Sequence, residues 1–158
     1  VNRTIIKSSY IYSPSDAIER ISMLDSFRGQ QTIERSQYLI AARKIYELSR
    51  EDSTLAVSGF WQPVYPLTNL IPPAFELVSL RSLFISLSYS EDKLINALKK
   101  YRPTLILTSP PSLMDGEGDF SSMVEKTNLY NKVGKVPKNL TIDKGYLSGT
   151  IYRLKDFK

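Results

Sequence analysis

The chain has 158 residues, 42% of them hydrophobic and 23% charged, which is enough apolar material for one buried core and excludes a disordered segment. Its 21 basic and 16 acidic residues leave a net charge of +5, but the basic residues are spread out, with Arg43-Lys44 and Lys99-Lys100 the adjacent pairs, so no nucleic-acid footprint forms. Cysteine and histidine are both absent, which excludes disulfides, thiolate metal sites and imidazole acid–base chemistry.

Residues 1–32 read as an irregular lead-in. Thr4-Ile5-Ile6 and Tyr10-Ile11-Tyr12 suit short strands or extended chain, and Ser13-Pro14-Ser15-Asp16 opens a short helix. The strongest helical pattern runs from about Thr32 to Arg50, where Tyr38, Leu39, Ala42, Ile45 and Tyr46 form one apolar stripe. Glu51-Asp52-Ser53 turns the chain, and Thr54–Ser58 reads as a short buried strand. Pro63, Pro66, Pro72 and Pro73 argue against a regular helix in the next stretch, and Phe75–Leu80 alternates in the manner of a strand.

Ser90-Glu91-Asp92 is a helix start, a serine cap with two acids facing the positive end of the dipole. Leu94, Leu98 and Tyr101 share a face, Pro103 stops the helix, and Thr104–Thr108 follows as a second buried strand. Phe120, Met123, Val124, Thr127 and Tyr130 give a third helical stripe. Val133–Val136 and Leu147–Leu154 then read as closing strands. A helix followed by a short apolar strand occurs twice, at 33–58 and 90–108. This predicts an α/β fold over residues 33–158: a small, mostly parallel sheet flanked by helices, Rossmann-like, with antiparallel strands at the C-terminal edge.

No catalytic constellation is visible. Ser58-Gly59-Phe60 lacks the flanking glycines of a nucleophile elbow, because Ala56 and Phe60 occupy their places. No glycine spacing suits a dinucleotide or a phosphate loop, so no cofactor is expected. Asp115, Glu117 and Asp119 alternate with glycines, but the run departs from the calcium loop: Phe120 follows Asp119 and no glutamate closes it. It reads as a solvated turn whose last acid caps the next helix, and no metal site is expected.

The segment from Ser58 to Pro66 ends the first strand with a glycine turn and places the chain's one tryptophan in a proline-braced loop. Gly59, Phe60, Trp61, Gln62 and Tyr65 after the first strand, with Ser109 and Asp115 after the second, are the candidate binding residues at the C-terminal edge of the sheet. Trp61 has two readings there. It faces solvent as a stacking surface, or it folds back and plugs the end of the core.

Ser53–Pro63 after a helix rich in Ala, Arg and Ile, followed by Tyr65-Pro66-Leu67-Thr68-Asn69, resembles the soluble C-terminal domain of polytopic, dolichyl-phosphate-mannose-type membrane glycosyltransferases. Leu98–Pro111, Tyr130–Val136 and Gly149–Lys155 extend the resemblance over about residues 35–155. It implies an extracytoplasmic domain, periplasmic or lumenal, attached to transmembrane helices lying before Val1. The family's catalytic carboxylates lie in the membrane part, and no residue here matches them. The resemblance therefore implies a non-catalytic domain that positions an acceptor or partner, with its parent chain's transmembrane part and a lipid-linked sugar as partners. The alternative is a free-standing module that binds a small ligand or a partner protein at the sheet edge. Val1 in place of Met fits a piece of a longer protein.

Overall fold

A computed structural model describes residues 33–59, 61–80, 90–110, 119–137 and 148–157. The expected lead-in over residues 1–32 lies outside them.

Helix α1 spans Ile33–Leu48 and is followed by strand β1, Leu55–Val57. Between them Ser53 closes the turn: its hydroxyl accepts from the Arg50 N–H at 2.7 Å. A short helix α2, Val64–Thr68, and a 3₁₀ turn, Phe75–Leu77, come next. Both correct the sequence reading. Pro66 sits in the first turn of α2, where no intrahelical N–H bond is required of it. Phe75–Leu77 winds instead of extending and buries Leu77 while Phe75 points outward.

Helix α3, Glu91–Tyr101, leads into β2, Leu105–Thr108; helix α4, Phe120–Lys126, leads into β3, Tyr130–Val136; and β4 spans Gly149–Leu154. The two acid- and serine-marked starts behave as expected. Ser90 Oγ accepts from Lys93 N at 3.4 Å, and the Asp119 carboxylate accepts from Ser122 N at 3.1 Å. Helix α3 ends at Arg102, which takes a left-handed φ of 45° and donates its N–H to Leu98 O.

The strands form one mixed sheet in the order β1-β2-β4-β3. One pairing is parallel, β1 with β2, and the two involving β4 are antiparallel, so the expected mostly parallel sheet is met at a single pair. The reason is that β4 does not stay at the margin. It runs back against β3 and inserts beside β2, with Ile106 opposite Tyr152 and Leu107 opposite Ile151. The β1–β2 pair is pinned at its start by reciprocal threonines: Thr54 N donates to Thr104 Oγ1 at 2.7 Å, and Thr104 N to Thr54 Oγ1 at 3.1 Å.

Strand alternation divides the interior into two cores. On one face Leu55, Val57, Leu105, Leu107 and Ile151 pack with Ala41, Ala42 and Ile45 of α1 and Val64 and Leu67 of α2. On the other, Ala56, Ile106 and Tyr152 pack with Leu94 and Leu98 of α3 and Phe120, Met123 and Val124 of α4. The sheet thus lies between two helical layers. Of the stripe expected on α1, Ala42 and Ile45 are fully buried while Tyr46 lies at the rim.

One irregularity in the sheet has consequences for its surface. The β3–β4 register passes from Lys132 opposite Tyr152 to Gly134 opposite Ile151, so Val133 is an extra residue, a β-bulge. Strict alternation would send Lys132 and Lys135 to opposite faces. With the extra residue they stand opposite Tyr152 and Thr150, two apart on β4 and therefore on one face. Val133 and Val136 keep to the core shared with α1.

Candidate functional site

The registers bring the ends of β1, β2 and β3 and the beginning of β4 to one edge: Val57 stands beside Leu107, Thr108 beside Thr150, and Val136 beside Gly149. This is the edge at which the sequence placed its candidate residues. Two of those, Phe60 and Asp115, lie outside the described residues.

The others are mostly structural. Gly59 makes the turn out of β1 at φ +63°, and a Cβ there would lie 2.2 Å from Ser109 Oγ, so the position admits glycine on both counts. Ser58 Oγ accepts from Ser109 N at 2.8 Å and ties the two strand ends together. Trp61 is fully buried and meets Tyr38 edge-to-face at 5.8 Å. It plugs the core, and its indole face is not offered to solvent. Gln62 donates to Ser79 Oγ at 2.9 Å. Tyr65 directs its hydroxyl at the carbonyls of Val78, at 2.9 Å, and Leu55, at 3.2 Å, bracing the 77–78 segment against β1. Burial holds its phenol well above the ordinary tyrosine range. Trp61 Nε1 and Ser109 Oγ have no hydrogen-bond partner among the described residues.

Outside this plug the same edge carries an open cleft of about 470 Å³, lined by Pro110, Asp119, Ser121, Lys135, Val136, Pro137, Ser148, Gly149 and Thr150. Its floor is thin. A Cβ on Gly149 would lie 2.8 Å from Thr108 O and 3.3 Å from the Trp61 ring, so the tryptophan backs the cleft from the core side. One wall is the start of α4. Ser121 Oγ shares a 2.6 Å hydrogen bond with Thr108 Oγ1, and Asp119 is held by its cap to Ser122 N. The other wall is the end of β3, where the bulge brings Lys135 level with Thr150.

Further along the same face, Tyr152 donates to Glu125 Oε1 at 2.8 Å and Lys132 lies 3.4 Å from the same oxygen. The Tyr152 hydroxyl, then Lys132, hold the Glu125 carboxyl below its usual range, while burial pushes the Tyr152 phenol up to about 12. Lys132 is therefore neutralised by Glu125, whereas Lys135 makes no ion pair among the described residues.

Sequence reasoning found the edge but missed Lys135, Ser121 and Thr150, because they reach it through β4 inserting beside β2, a long-range pairing. The one local signal was Gly134 inside a strand pattern, which marks a bulge. Among the described residues no group of three acidic, His or Cys side chains is placed to hold a metal ion, and no helix is long and apolar enough to cross a membrane. No family model, curated protein or solved structure matches the chain.

Proposed function

We propose that the domain is a non-catalytic binding module that takes a small ligand in the cleft at the C-terminal edge of its parallel strand pair. The observation that carries this reading is the convergence of four strand ends on a cleft with two polar walls, in which Gly149 lies against the buried Trp61. Open α/β sheets bind ligands just beyond the carboxyl ends of their parallel strands, and β1 and β2 end here. In this sense the domain is Rossmann-like in how it presents a site, with the antiparallel β3–β4 pair supplying the second wall. The chemistry available is recognition. Asp119 serves as a helix cap, the hydroxyls of Thr108 and Ser121 bond to each other, and the nearby Glu125 carboxylate is taken up by Tyr152 and Lys132.

Titration of the ¹⁵N-labelled chain with sugars, nucleotides and phosphates tests the reading. The expected result is saturable amide shifts that cluster at Ser121, Lys135 and Ser148–Thr150. Shifts scattered away from the cleft, or none with any compound, would overturn it.

The resemblance at residues 53–69 supports a wider setting, an accessory domain that positions an acceptor for a membrane-embedded glycosyltransferase on the extracytoplasmic side. Its test is the reading frame before Val1, where several apolar stretches of about 20 residues are expected. A frame that opens at Val1 would sink that setting and leave the cleft reading intact.

A further inference from the structure

We infer that the cleft's ligand carries a phosphate group and that Lys135, placed by the bulge at Val133, is its charge partner. The inference rests on the cleft being the binding site and adds the class of ligand.

Three observations lead to it. Val133 is an extra residue in β3, and its effect is to move Lys135 onto the face that carries Thr150, Thr108 and Ser121. Bulges re-aim side chains in this way beside binding sites. The two lysines brought to that face then differ. Lys132 is matched by Glu125, while Lys135, at the cleft, has no acid paired with it among the described residues. The cleft's own acid, Asp119, keeps its charge but is turned to cap α4 through the Ser122 N–H, so Lys135 is the one cation among the described lining residues.

The kind of anion follows from the donors. Among the described residues no arginine lines the cleft, and its cation is a lysine ammonium, a point charge of the kind that commonly binds phosphate. That point charge, with the Thr150 hydroxyl opposite it on β4, suits a tetrahedral acceptor with oxygens in several directions. The volume, about 470 Å³, accommodates a small phosphorylated molecule.

The test is titration of the full chain, followed by ¹⁵N amide shifts at fixed ionic strength, with inorganic phosphate, glycerol phosphate and, as a neutral control, glucose. Saturable shifts at Ser121, Lys135 and Thr150 are expected with the phosphates. Lys135→Ala should weaken them at least about tenfold, the loss expected for a charged hydrogen bond, while Lys132→Ala leaves them unchanged. Both lysines are exposed, and retained peak dispersion verifies that each variant folds. Tighter binding of glycerol phosphate assigns an organic phosphate, and equal or tighter binding of inorganic phosphate assigns the free ion. Phosphate shifts that survive in Lys135→Ala, or that never saturate, overturn the inference. Saturable glucose shifts without phosphate shifts would overturn it while preserving the binding cleft. If no compound shifts the cleft, both readings fail.

Discussion

Gly59 and Ser109 touch where the two parallel strands end: a side chain on Gly59 would stand 2.2 Å from the Ser109 hydroxyl, and the glycine holds φ at +63°. Gly59→Ala therefore combines left-handed strain with overpacking and should lower stability by about 2–4 kcal/mol in urea unfolding. Ser109→Ala should cost less than about 1 kcal/mol, since its hydroxyl has no partner among the described residues. The double variant should recover part of the Gly59→Ala loss, because the closest clash is with the atom removed. Additive losses would show that the contact does not limit the turn.

Trp61 is fully buried in the core beside α1, so Trp61→Ala should cost about 3–5 kcal/mol. Trp61→Phe should cost far less than Trp61→Ala, because it keeps an aromatic ring against Tyr38 and removes an indole N–H that has no partner among the described residues. The tryptophan fluorescence of the folded chain should be shielded from acrylamide and become accessible on unfolding. Strong quenching in the native state would contradict the plug.

The local rules were legible and the long-range ones were not. Ser90 and Asp119 cap the helices their sequence context predicts, and Thr54–Ser58 and Thr104–Thr108 hold the two short buried strands. Local signals suffice there, because a cap or an apolar run acts within a few residues. Pro66 misled because a proline's cost depends on which helical turn it occupies. Phe75–Leu77 misled because alternation does not separate a strand from a tight turn with one buried residue. The site was half legible. Its edge followed from the strand pattern, but its lysine depends on one extra residue in β3 and on which strand pairs with β4.

Alkaline pH should unfold the chain through its buried phenols. Tyr65, Tyr130 and Tyr152 all have their ionisation raised by burial, Tyr152 to about 12. Between the ordinary tyrosine value near 10 and these higher values the folded chain keeps protons that the unfolded chain releases. Stability is thus fully present below about pH 10 and falls as pH rises toward 12. Tyr152→Phe should flatten the fall. Urea midpoints from pH 8 to 11.5 measure it, and a constant midpoint across that range would contradict the burial of these hydroxyls.

Phe75 provides the contrast to Trp61. It is 92% exposed, so Phe75→Ala should change stability by no more than about 0.5 kcal/mol in the same urea assay. A loss comparable to that of Trp61→Ala would show that its ring is covered in solution.

The position of β4 also sets an order of events during synthesis. It is the last described strand to leave the ribosome, yet it lies between β2 and β3. Until it arrives, β2 has one open side and β3 has no neighbour in the described sheet, so neither core can close. A nascent chain halted before Gly149 would carry unpaired, partly apolar strand edges, the state in which chains associate with one another or with a chaperone. Closure of the described sheet is thus gated by β4, and arrest at successive lengths should show protease resistance appearing in one step once Leu154 has emerged.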